Sequence, residues 1–245
     1  MNKWTLFISA LLLSASASAE TIVKTMTGYA TDAKTGELLY LEEHEKTVED
    51  GKTTSQIIRY RAPEGDVFAQ KVLDFRDNPR RPLFTLEDTL RNYSEGLRET
   101  EGGLEVFSAA PGNLKSDMLK KNQFVADAGF DRVIENDWST LVTGKPVKFD
   151  FLVPAQTRTV KFRVKKTGEL EHEGRDAVEF TMEPASGLLR WLVDPIVVLY
   201  DVEERTLLKY DGMSNLRNEK MKNYDVDISF PHAERKVISG GLTAE

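Results

Sequence analysis

Residues 177–210 read AVEFTMEPASGLLRWLVDPIVVLYDVEERTLLKY, the most apolar stretch beyond the N-terminus. Val178, Phe180 and Met182 alternate with Glu179, Thr181 and Glu183, the period-2 pattern of a strand with one dry face. In the next segment Leu188, Leu189, Trp191, Leu192 and Val193 leave Arg190 as the lone polar residue. Ser186 suits an N-cap and Pro195 a stop, so Gly187–Val193 is predicted to be a helix of about two turns. A helix that short is unstable alone in water, and one apolar nearly all round must be covered on most sides. Ile196–Tyr200 then runs on as an unbroken apolar strand.

The N-terminus has the form of an export signal. Lys3 gives the positive start, Trp4–Leu13 the apolar run and Ala17-Ser18-Ala19 the small-residue cleavage site. That run is too short to span about 30 Å of hydrocarbon, so the expectation is cleavage after Ala19 and a soluble periplasmic protein without a stable membrane anchor. The 245 residues include no cysteine. A disulfide framework, thiol chemistry and a lipidated N-terminal cysteine are therefore excluded, and the fold must rest on its hydrophobic core. A formal net charge of −7 argues against nucleic acid as a partner.

From Thr21 to Ser108 short strands are predicted at 23–31, 37–47, 53–61, 67–75, 82–88, 93–99 and 103–108. Turn chemistry separates them, with Asp50-Gly51 the strongest hairpin signal. Ala110–Gln123 is Lys-rich, poorly patterned and expected to be a loop. Phe130, Val133, Ile134, Trp138, Leu141 and Val142 fall at helical spacing, with Asp127 as candidate cap and Gly144 and Pro146 at the end. Further strands follow at 147–153, 157–165, 177–183, 196–202, 206–210 and 222–230. Strand 157–165 should form a hairpin with 177–183, closed by a loop over 166–174, its basic stripe beside Glu179 and Glu183.

Close spacing without helical crossovers implies antiparallel pairing. About a dozen strands with one dry face each must close, split or bend. The expected fold is mainly β: a strongly curved antiparallel sheet, a half-barrel or open barrel, with one amphipathic helix and one short apolar plug helix. The expected organisation is a signal over 1–19, a single antiparallel β domain over 20–230 and a flexible tail over 231–245. Burying the five apolar residues of the plug contributes on the order of 10 kcal/mol as an upper bound.

Chemistry-bearing motifs are scarce. Glu42 and His44 share one strand face, but a metal needs three or four ligands, and a solvated acidic face is the expectation there. His172 is placed at the surface. No Gly-x-Ser-x-Gly elbow exists, Gly144-Lys145-Pro146 lacks the rest of a phosphate loop, and no carboxylate pair stands out. No catalytic residue, metal or cofactor is assigned, and the expectation is a protein that is not an enzyme. Ligand-binding candidates are Leu188, Leu189, Arg190, Trp191 and Leu192, at the mouth of the sheet where apolar ligands enter. Trp138 joins them, although its helix position fits core packing first. Arg190 suits either a snorkelling surface role or an anionic head group.

The run Leu207–Leu216 (LLKYDGMSNL) with Lys222–Val226 (KNYDV), and Met182–Ser186 (MEPAS) ahead of the Leu/Trp-rich turn, resembles motifs of uncharacterised exported β-rich proteins of Gram-negative bacteria. The likeness covers roughly Phe149–Phe230. At the level of architecture alone, an export signal, curved antiparallel sheet and helical plug are similar to periplasmic lipoprotein carriers of the LolA/LolB type. No motif matches those carriers residue by residue, so no functional position is carried over. The function expected is a periplasmic binding or carrier protein holding an apolar ligand, a lipid or acyl chain, inside the sheet. The alternative is a cell-envelope scaffold or assembly factor that engages a protein partner. A hydrolase, which would need a cleft of convergent polar groups, ranks last.

Overall fold

The computed structural model describes residues 20–121, 123–187, 190 and 194–239. The expected export signal lies outside the described residues, as do Leu188, Leu189, Trp191, Leu192 and Val193, the apolar body of the expected plug helix.

Eight strands follow one another from the start: β1 (Thr21–Asp32), β2 (Leu38–Glu49), β3 (Lys52–Arg61), β4 (Val67–Asp74), β5 (Leu83–Asp88), β6 (Tyr93–Thr100), β7 (Gly103–Ala110) and β8 (Asn113–Met118). Helix α1 (Gly129–Leu141) comes next. The second series is β9 (Val147–Val153), β10 (Arg158–His172), β11 (Arg175–Pro184), β12 (Ile196–Asp201), β13 (Leu207–Arg217), β14 (Asn223–Ser229) and β15 (Lys236–Ser239). All pair into one large antiparallel sheet, in the order β8-β7-β6-β5-β4-β3-β2-β1-β14-β13-β12-β11-β10-β9. It is mainly β, as expected, with one α-helix among the described residues. The sheet is open: β8 and β9 are its ends, and no ladder joins them among the described residues.

Two next-neighbour meanders meet along one seam. The C-terminal half of β1 pairs with β14, Tyr29 opposite Ser229 and Asp32 opposite Val226. Its N-terminal half pairs with β15, Ile22 opposite Ser239. The chain leaves the first meander at β8, one edge, and enters the second at β9, the other edge. The segment containing α1 makes that passage.

Local sequence accounts for most of the elements. Asp50 and Gly51 both have positive φ (49° and 74°), the two-residue turn that joins strands without splaying them. The β10–β11 hairpin forms as expected, and Arg163 lies 2.9 and 2.5 Å from Glu183 across it. Its arms run further than the sequence suggested, to a turn at Glu173-Gly174, because a register shift between Lys166 and Gly168 absorbs the weakly patterned stretch.

Two expectations need correction. Ala110–Gln123 is not all loop, since 113–118 is β8; an edge strand with all six residues exposed carries no apolar alternation to reveal it. The tail is ordered as far as Ser239: His232–Glu234 forms a 3-10 turn, Tyr29 donates to Glu234 at 2.8 Å, and β15 completes the edge of β1.

The core divides between the meanders. Val133, Ile134, Trp138 and Leu141 of α1 pack on Phe149, Val164, Val178, Phe180, Met182, Val198 and Tyr200. Burying four such side chains contributes roughly 10 kcal/mol at most. Tyr40, Tyr60, Leu73, Leu86, Leu97 and Val106 form the centre of the other cluster, which Phe124, Ala126 and Leu152 also join.

Candidate functional site

A cavity of about 240 Å3 lies between the dry faces of the two meanders. Met26, Ile58 and Tyr60 line it from the first, Met182, Val198, Tyr200 and Ile228 from the second, and Phe130 and Phe151 from α1 and from β9. Most of this wall is apolar, and a few polar groups converge on it: Glu42, His44, Gln56, Lys71, Asp127, Asp131 and Asn215.

Lys71 sits on β4 between Ala69 and Leu73, in phase with their buried face. Its Nζ donates to Asp127 Oδ2 at 2.8 Å, with side-chain exposures of only 7 and 8%. Asn215 of β13 donates to the same oxygen at 3.2 Å. Burial by itself would lower the Lys71 pKa. The charge and hydrogen bond of Asp127, with Glu42 and Glu95 behind it, outweigh that cost and raise it.

Asp127 does not cap α1. The N-cap is Ala128, without a side-chain cap bond. Asp127 instead takes a left-handed φ of 44°, accepts the Ala128 N–H through Oδ1 at 2.8 Å and offers Oδ2 to Lys71. That conformation costs about 1 kcal/mol or more for a residue with a Cβ. The ion pair with the buried ammonium helps offset that cost. Gly129 follows because the chain passes so close to the loop before β5: a Cβ there would lie 2.1 Å from the Arg80 carbonyl oxygen.

On β2, Glu42 and His44 do share a face, but it is the dry one, each 8% exposed. The expected solvated acidic face is thereby corrected. The alternation continues from buried Tyr40, so both residues fall in phase with the core rather than with solvent. Glu42 Oε2 is 2.8 Å from His44 Nε2, and His44 Nδ1 is 2.9 Å from Gln56 Nε2 on β3. Among the described residues no group of three or more metal-ligating side chains is assembled.

Three phenols in or near the cavity wall are hydrogen-bonded. Tyr200 donates to Asp131 at 2.6 Å, Tyr210 to the Met213 carbonyl at 2.6 Å, and Tyr40 shares a 2.8 Å bond with Ser214. Burial first, then neighbouring carboxylates such as Glu42, holds the Tyr60 and Tyr210 phenols above their ordinary pKa. Deeper in the first meander, Tyr93 donates to Glu95 at 2.6 Å and receives Arg217 at 2.9 Å. Burial raises the Glu95 pKa, against the opposing pull of Tyr93 and Lys71.

The residues singled out from sequence go elsewhere. Trp138 is a core residue: its ring meets Phe180 edge-on at 5.6 Å, Arg205 lies 5.4 Å over it, and it does not line the cavity. Arg190 lies 3.5 Å from Glu183, the carboxylate that Arg163 also engages, and is not in the cavity wall. Leu188, Leu189, Trp191 and Leu192 fall outside the described residues. What sequence reading missed is the polar set inside. Its signal was present: Glu42, Gln56, Lys71 and Glu95 each alternate in phase with apolar neighbours on their own strands.

No protein-family model matches the chain, and no curated protein matches it. Among solved structures it is similar to a "Beta-barrel-like Protein of Domain of Unknown Function DUF1849" from Brucella abortus, at 10% identity and a TM-score of 0.41, covering 91% of this chain and 98% of that one. It is also similar to a DUF1329 family protein from Desulfovibrio piger, at 8% identity and a TM-score of 0.28, covering 93 and 89%. A third likeness, at 10% identity and a TM-score of 0.23 and covering 92 and 87%, is to a "putative outer membrane lipoprotein-sorting protein domain" from Vibrio parahaemolyticus. These structural likenesses are distant, and no sequence family matches.

Proposed function

We propose that this is a periplasmic binding or carrier protein without catalytic activity, which holds part of an apolar ligand in the cavity between the meanders. One observation carries the reading: a largely apolar chamber of about 240 Å3 that a few polar groups enter at fixed positions. Such chambers are the usual form of a small-molecule site. The volume is below the ~300–1,000 Å3 usual for drug-sized ligands, so it suits one acyl chain or a small amphiphile rather than a whole multi-chain lipid.

In this reading the sheet wraps as an open half-barrel. Support comes from the turn at Pro154–Gln156, next to β9, which packs against β6 and β7 near the opposite edge. Further support comes from Arg217 of β13 reaching Tyr93 of β6. The expected export signal delivers the carrier to the periplasm. Native mass spectrometry and lipid extraction of protein purified from periplasm test the reading. The expected result is a co-purifying acyl species that a chain-length series displaces. Protein that is free of ligand and fails to take up any alkyl probe overturns it.

A second reading, an envelope scaffold or assembly factor, is favoured by β8. That edge strand is exposed along its whole length, with Leu114 75% accessible, and open edges recruit other chains. A photocrosslinker at Leu114 that captures a protein adduct in cells, with the cavity empty, would support this reading over the carrier.

A further inference from the structure

The polar groups of the cavity can be read for hydrogen-bond polarity. A carboxylate only accepts, so His44 Nε2, 2.8 Å from Glu42, carries the hydrogen. With the Gln56 amide nitrogen turned to Nδ1 at 2.9 Å, that ring atom holds the lone pair and Gln56 donates. The relay ends at Gln56 Oε1, an acceptor. That atom is buried without a hydrogen-bond partner, on a residue 2% exposed that belongs to the cavity wall. An unmet buried acceptor costs free energy until a donor arrives.

Charge points the same way. The ionisable side chains of the wall include three carboxylates, on Glu42, Asp127 and Asp131, against the one ammonium of Lys71. Asp127 already holds that ammonium, and Lys46, outside the wall, lies 3.8 Å from Asp131. Among the described residues this leaves Glu42 as the wall carboxylate without an ammonium partner. A ligand anion placed here would be desolvated among like charges, whereas a cation would be met by them.

Resting on the reading of this chamber as a ligand site, we propose that the ligand's polar end is a positively charged hydrogen-bond donor. The class is an amphiphile bearing a primary ammonium group, seated between Gln56 Oε1 and Glu42, with its alkyl part along Met26, Ile58 and Phe230.

Octylamine, octanol and octanoate, titrated at pH 7 into the purified mature protein by calorimetry, separate the possibilities. The expected order puts the ammonium first, at least about tenfold tighter than octanoate. Octanoate or octanol binding as tightly or more tightly overturns the proposal and leaves the chamber a ligand site. No binding by any of the three overturns both. In Glu42→Gln the ratio of ammonium to octanol affinity should fall about tenfold; an unchanged ratio counts against the proposal, and because it is a ratio, a general loss of folded protein does not mimic the fall.

Discussion

Lys71 Nζ and Asp127 Oδ2 lie 2.8 Å apart, almost sealed from water, although 56 residues of chain separate them. The pair ties the middle of the first meander to the residue before the N-cap of α1, within the passage to the second. A buried ion pair adds little over a well-packed apolar pair, but breaking one half leaves a naked charge. Asp127→Asn should therefore destabilise the protein by about 3–5 kcal/mol, and the double variant Lys71→Met, Asp127→Asn by clearly less than the sum of the two singles. Guanidinium unfolding of the four proteins checks this. Because the folded pKa of Lys71 stands above its ordinary 10.5, its contribution is complete below that value. It is lost as pH rises through the folded pKa, so the wild type should lose more stability than Lys71→Met above pH 10.5.

Glu95 has the same sign of effect at much lower pH. Its pKa is raised above 4.5, chiefly by burial, so the folded state holds its proton more tightly than the unfolded state. Stability from this group therefore increases as pH falls from above the folded pKa towards 4.5. Glu95→Gln keeps an acceptor for the Tyr93 hydroxyl and removes the charge. Thermal melts should find the variant no less stable than the wild type at neutral pH, with a smaller gain on acidification. A variant that melts well below wild type at pH 7 would contradict this.

Asp201 is held at the start of the β12–β13 turn by Arg175 Nε at 2.5 Å and by the Glu204 N–H at 2.7 Å. Burial would raise its pKa, but the Arg175 hydrogen bond and the turn amides win and lower it below 3.8. This stabilisation is present above 3.8 and disappears as pH falls through the folded pKa. Asp201→Asn should cost about 1–3 kcal/mol at pH 7. The gap from wild type should close in urea titrations carried below pH 3.8.

Gly129 has no room for a side chain, its Cβ position lying 2.1 Å from backbone oxygen. Gly129→Ala must push the start of α1 off the Arg80 loop and with it the Asp127 carboxylate. A loss of about 2–3 kcal/mol is expected, together with weaker binding of an alkyl probe. Gly144→Ala, at a turn where a Cβ meets nothing within 4 Å, is the comparison. It should cost only the strain of its positive φ and leave probe binding intact.

The strands themselves were legible because alternation and turn chemistry are local. Val178, Phe180 and Met182 announce their dry face, and Asp50-Gly51 its hairpin, without help from elsewhere in the chain. β8 and β15 were not legible, since strands that pair at an edge bury no face and leave no pattern. Glu42 and His44 were misassigned for a related reason. Their polarity suggested water, while their phase with Tyr40 placed them inside.

The amino-acid sequence by itself determined an all-antiparallel set of strands, a cysteine-free core and one amphipathic helix in mid-chain. These follow from side-chain period and backbone chemistry over a few residues. Only the tertiary structure decided that β1 joins β14 and that Lys71 meets Asp127 beside a relay of Glu42, His44 and Gln56. Such meetings depend on which faces the passage between meanders brings together. A buried charge finds its partner across the whole chain, and nothing local records where that partner stands.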